Sequence, residues 1–196
     1  MAVELRSASA LGRGLSRALR TDAIELLRLL RLETCELSVV LVGDRAMRRL
    51  NRDFRGVDEA TDVLSFPQLD HRCALRRRRK PAASRTRAAA SPPLALGDVV
   101  ISVDTAVRQA RILAVRPVDR MRTLLIHGTL HLVGYDHESS PADARRMFAR
   151  ERELARRLGT IVRSDPLWPP VAMPPAQGKC SVPKVTGRAS DVSPRR

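Results

Sequence analysis

A chain of 196 residues with 43% hydrophobic side chains can bury the core of one domain and carry extensions besides. Aromatic residues make up only 3%, so Leu, Val and Ala must supply most of the packing, and no apolar run reaches the length of a membrane span. The net charge of +15 is concentrated: residues 72–87 hold eight Lys or Arg and no acid, and residues 164–196 add a net +3, which leaves +4 on the rest, too little for overall charge alone to argue nucleic-acid binding.

In chain order, residues 3–5 can form a first strand, and Leu11, Leu15 and Leu19 mark the inner face of a first helix over residues 11–32. The spacing of Asp22 and Glu25 predicts a restart of that helix at Asp22, as in a capping box. Several Arg and Ser with one acid, Glu4, resemble a transit peptide in the first twenty residues, but the strand and helix pattern there argues for a mature start. Residues 36–42 read as a central strand closed by Gly43-Asp44, and a short helix with Met47 and Leu50 inward runs to about residue 53. Residues 61–67 and 96–102 read as two more strands. Between them, residues 68–95 include Arg76-Arg77-Arg78-Arg79-Lys80 and an Ala/Ser/Pro/Arg stretch, an insertion expected to be disordered and able to contact phosphates without sequence preference. His71 at its edge is expected to have no metal role. Asp104 is expected to cap the next helix, and Pro117 to open the one after it. Ser140-Pro141-Ala142-Asp143 is a helix start, and that helix runs to about Leu158 with Met147, Phe148, Glu151 and Leu154 at helical spacing. Residues 164–196 form a Pro-rich tail, expected to be disordered, in which Trp168 is an anchor candidate.

Three of the four histidines fall in His127-Gly128-Thr129-Leu130-His131-Leu132-Val133-Gly134-Tyr135-Asp136-His137. On a helix, His127 and His131 share a face. Gly134 stands where a left-handed residue ends a helix, and the following loop can swing His137 back to the same point. Three imidazoles with one open position are the coordination of a catalytic zinc. The protease pattern His-Glu-x-x-His carries its general base directly after the first histidine; Gly128 occupies that place, so a metallopeptidase of that kind would lack its base.

This segment resembles, position by position, the signature His-Gly-x-Leu-His-Leu-x-Gly-Tyr-Asp-His of the YbeY family, bacterial rRNA maturation factors with single-strand-specific endoribonuclease activity. Asn51 to Gly56 resembles the family's Asn-x-x-x-Arg-Gly segment, Thr61-Asp62-Val63-Leu64-Ser65-Phe66-Pro67 its Thr-Asp-Val-Leu-Ser-Phe-Pro strand, and residues 96–102 its Leu-Gly-Asp-Ile-x-Ile-Ser. The resemblance implies an α+β fold with a zincin-like layout: a small mixed β-sheet packed with helices and a metal site at the end of a core helix. It implies one zinc ion on His127, His131 and His137, with Arg55 as the functional arginine near it. A guanidinium is always charged and its fork matches phosphate oxygens. Asn51 is explained equally well by capping or a hydrogen bond to a loop. Asp98, Asp136 and Glu138 are the candidates for a general base, and Asp136 is as well placed to hold a histidine ring.

The expected organisation is a YbeY-like domain over residues 1–163, holding the insertion, followed by the tail. The expected activity is zinc-dependent hydrolysis of single-stranded RNA in maturation of the small-subunit rRNA 3′ end and in ribosome quality control. The expected partners are rRNA and the ribosome or small-subunit assembly proteins, with no membrane. Cys35, Cys73 and Cys180 are odd in number and form no Cys-x-x-Cys pair, which suits reduced thiols in the cytoplasm. Two rival readings are a zinc metallopeptidase-like hydrolase and a non-catalytic ribosome-assembly factor whose zinc is structural.

Overall fold

The computed structural model describes residues 2–8, 10–69 and 94–159. The basic run, His71, Cys73, Cys180, Trp168 and the tail therefore lie outside the described residues. Among the described residues four strands and five helices follow in the order β1 (Ala2–Ser7), α1 (Ala10–Leu29), β2 (Cys35–Val42), α2 (Asp44–Arg55), β3 (Val63–Pro67), β4 (Leu94–Ser102), α3 (Val103–Ile112), α4 (Pro117–Leu132) and α5 (Pro141–Arg157). The strands form one mixed sheet in the order β1-β2-β4-β3. β1 and β4 run parallel to β2, and β3 closes one edge antiparallel to β4. The fold is α+β. Leu94 and Ala95, assigned above to the insertion, are the first residues of β4, and Gln68 N–H donates to the Leu96 carbonyl, so both ends of the insertion are tied to the sheet.

Side-chain alternation divides the core. Val3, Leu37, Val39, Leu41, Val99 and Ile101 line one sheet face and pack with α1 and α4 through Leu19, Leu26, Leu27, Leu124 and Leu130. Val42, Leu64 and Val100 line the other face, under Met47 and Leu50 of α2. α1 runs unbroken through residue 22, because Asp22 is buried and receives the Arg122 guanidinium of α4 at 2.6 Å instead of starting a new helix. Asp104 does not cap α3 either. Ser102 does so, accepting from Thr105 N–H, while Asp104 accepts from Asp44 N–H and so caps α2. Both departures have one cause: a local capping pattern yields when a neighbouring element offers the carboxylate a cationic or N–H partner.

α4 lies directly on the sheet at Gly128. A Cβ there would come within 2.8 Å of Val99 Cγ1, 2.9 Å of Ser65 Oγ and 3.2 Å of Val63 Cγ2, and Ser65 Oγ already donates to the Gly128 carbonyl at 3.1 Å. Any side chain following His127 would therefore enter the sheet, not the solvent. The Gly128→Ala protein is expected to lose about 1–2 kcal/mol of stability, overpacking against stiff β-branched neighbours outweighing the better helix propensity of Ala, and a lower urea midpoint checks it.

Candidate metal centre

Proline at the first turn opens α4, whose apolar residues Met121, Leu124, Leu125, Ile126 and Leu130 bury it in the core. That burial fixes His127 and His131 near its C-terminal end. The helix stops in a Schellman turn: Gly134 has φ 89, its N–H donates to the His131 carbonyl at 3.0 Å, and Tyr135 N–H donates to the Leu130 carbonyl at 3.0 Å. The turn sends residues 135–140 back over the helix end. There Asp136 accepts from Glu138 N–H at 2.9 Å and from the Ser139 hydroxyl, which tightens the loop that carries His137. On its outer side His137 stacks on Phe148 of α5, with centroids 5.8 Å apart.

The three rings meet as the spacing predicts. One nitrogen from each of His127, His131 and His137 lies within 4.8 Å of the others, and no fourth His, Cys, Asp or Glu joins the group among the described residues. His127 Nε2 and His131 Nε2 are 3.0 Å apart, near the roughly 3.3 Å expected of two nitrogens bonded at about 2.0–2.1 Å to a tetrahedral ion. Burial pushes His127 down to about 3, helped by the neighbouring His137 charge. Burial does the same to His131, with His127, His137 and Arg55 acting in the same direction. Both rings are thus neutral, the form in which imidazole binds a metal.

An acid on α5 reaches the other ring nitrogen of His127. Glu151, 7% exposed, lies 3.1 Å from His127 Nδ1. With Glu151 ionised, Nδ1 is the donor and Nε2 presents its lone pair to the other rings. Burial pushes Glu151 up to about 7 against the pull of Arg120 and His137. Arg120 sits two turns before His127 and is 8% exposed. Its Nη2 is 3.3 Å from Asp62 Oδ2, and its Nε donates to Gln109 Oε1 at 2.8 Å. Gln109 Nε2 in turn donates to Asp62 at 3.0 Å, and Val63 N–H to the same carboxylate at 2.9 Å. A buried, mutually satisfied polar network therefore backs the histidine whose ring is most enclosed. The residues present fit a metal on these three counts: convergent nitrogens, neutral rings at His127 and His131 and, with Glu151 ionised, a fixed tautomer of His127.

The model of the family described as endoribonuclease YbeY matches residues 13–159. This chain belongs to the YbeY family. It is 47% identical over 161 residues to an endoribonuclease YbeY of Anaeromyxobacter sp. (strain Fw109-5), covering 82% of this chain and 74% of that one. To the endoribonuclease YbeY of Geobacter sulfurreducens it is 43% identical over 140 residues, covering 71% and 83%. A solution structure of a Thermotoga maritima protein shares the fold, with a TM-score of 0.55 at 22% identity over 80% of this chain and 88% of that one.

The remaining candidates separate on this YbeY fold. Arg55 ends α2, exposed, and its charge reaches His131. Asn51 is buried, its amide donating to the Glu59 carbonyl at 2.8 Å, which holds the loop after α2. Asp98 does not join the histidines. Strand alternation puts it on the α2 face with Val100, opposite the Val99 face on which α4 lies, and it accepts from Gln68 Nε2 at 2.7 Å. The carboxylate that holds a histidine is Glu151 instead of Asp136. No site role follows from the local sequence for Glu151, Asp62 or Arg120. Their signal is a charged residue inside an apolar helical or strand stripe, Glu151 between Met147 and Leu154 most plainly.

Proposed function

We propose that this chain is a zinc-dependent endoribonuclease of single-stranded RNA, acting in the cytoplasm on the small-subunit rRNA 3′ end and in ribosome quality control, alongside ribosomal or small-subunit assembly proteins. The observation that carries the reading is the trio His127, His131 and His137, convergent and without a fourth protein ligand among the described residues, with His127 and His131 neutral. Membership of a family named for endoribonuclease activity supports RNA as substrate. No described helix is long and apolar enough to cross a membrane. Residues 1–163 are taken as the catalytic domain.

Zinc in a site of three imidazoles lowers the pKa of water it binds and polarises a phosphoryl oxygen. The chain's own residues do the rest. Glu151 holds the His127 proton on Nδ1, and the Arg120–Asp62–Gln109 network keeps the base of α4 rigid beneath it. Arg55 adds positive charge where the phosphate becomes more negative on attack. The metallopeptidase alternative loses support because the position after His127 packs into the sheet at Gly128, where no base could reach the histidines. The test is metal content together with cleavage of a single-stranded RNA and a casein substrate by highly purified protein. One zinc per chain with RNA cleavage alone is expected; peptide cleavage, or neither, refutes the reading.

A further inference from the structure

α2 carries charge out of proportion to its size: of its 12 residues, Arg45, Arg48, Arg49, Arg52 and Arg55 are cationic. Met47, Leu50 and Asn51 face the sheet, so the arginines must face outward. Arg45, Arg48, Arg52 and Arg55 recur at i, i+3, i+7 and i+10, which draws them into one line about 15 Å long at 1.5 Å per residue. All four are exposed. Like charges at these spacings repel and weaken a helix. Among the described residues Arg45 and Arg49 form no ion pair, while Arg48 donates two hydrogen bonds of 3.0 and 2.7 Å to Asp58, and Arg52 lies 3.4 Å from Asp53 and 3.6 Å from Asp58.

The C-terminal end of the line is tied to the strand beneath the histidines: Phe54, next to Arg55, packs on Phe66 of β3, and Ser65 of the same strand donates to the carbonyl of Gly128, which follows His127. Beside Arg55, Phe54 is 61% exposed, although the chain has only three Phe. Its ring is held edge-on against Phe66 of β3 at 4.9 Å between centroids, which braces it and leaves it open to solvent. A line of guanidinium groups next to a braced aromatic face is complementary to one strand of nucleic acid: phosphates to the cations, an unpaired base to the ring.

Resting on the endoribonuclease reading, we infer that the outer face of α2 is the path of the RNA strand, with phosphates along Arg45, Arg48 and Arg52, the next delivered to Arg55, and a base stacked on Phe54. Asp58 then holds Arg48 and Arg52 until phosphates replace it.

The test measures Kd for a fluorescent single-stranded RNA by anisotropy, with metal removed, across a KCl series, and kcat and KM with zinc present. Arg45→Gln and Arg52→Gln are each expected to reduce the slope of log Kd against log salt by about 0.7, and to raise KM far more than they lower kcat. Asp58→Asn is expected to tighten binding, a direction no folding defect produces. Phe54→Leu is expected to weaken binding about tenfold at every salt concentration, with the slope unchanged. Wild-type slopes and KM in both arginine variants overturn the path, and wild-type affinity in Phe54→Leu overturns the stacking contact. If wild-type protein binds RNA with the expected slopes and does not cleave it, the path stands and the nuclease reading falls. If it cleaves RNA and the variants behave as wild type, only the path falls.

Discussion

Replacing Arg55 with Glu is expected to leave one zinc bound per chain and the melting temperature close to that of the wild type, while kcat/KM for single-stranded RNA falls about a thousandfold. The residue is exposed and closes a helix whose C-cap, Gly56, accepts a left-handed conformation without its help, so the fold does not depend on it. Its charge, however, reaches His131, and in the proposed reaction its reversal would set a carboxylate against the phosphate. His131→Ala is the contrasting variant: it removes one of three ring nitrogens and is expected to lose both zinc and cleavage with the domain still folded, because His131 is half-buried at the helix end and outside the apolar core. A structural-zinc protein would behave otherwise. Its His131→Ala variant would unfold, and its Arg55→Glu variant would show no activity to lose. Metal analysis, thermal melts and single-turnover cleavage on the same preparations separate the two accounts.

The second large effect is expected at Glu151. Removing its carboxylate frees the His127 ring to turn or to place its proton on Nε2, where it blocks a metal. Glu151→Ala is expected to weaken zinc binding about 10–100-fold, and Glu151→Gln, which keeps an acceptor oxygen for Nδ1–H, to weaken it less. Competition against a chromophoric chelator measures the affinity, and the ring-nitrogen shifts of His127 report the tautomer directly. Unchanged affinity in Glu151→Ala would mean that His127 is held by its packing alone.

What could be read from the chain depended on how far apart the partners lie in it. The histidine trio spans eleven residues of one helix and one turn, so helical spacing and a single glycine describe it almost completely. Arg55 was visible through its neighbours Asn51 and Gly56, although nothing local said that its charge would reach His131. Glu151 reaches His127 across 24 residues and Arg120 reaches Asp62 across 58, contacts that only the packing of α5 on α4 and of α4 on β3 creates. The same long-range partners defeated the local readings of Asp22 and Asp104: each looked like a cap for its own helix and was drawn to a neighbouring one. Asp98 shows the reverse error. A residue within a matching motif was placed near the site by proximity in sequence, while strand alternation turned it to the far face.

The most direct measurement is anomalous diffraction at the zinc edge from crystals of the full chain grown with zinc. A single peak bonded to one ring nitrogen each of His127, His131 and His137, with Glu151 on Nδ1 of His127 and no fourth side chain, is the predicted result. A peak bound to a fourth protein ligand, or located away from these rings, would contradict a catalytic metal centre here.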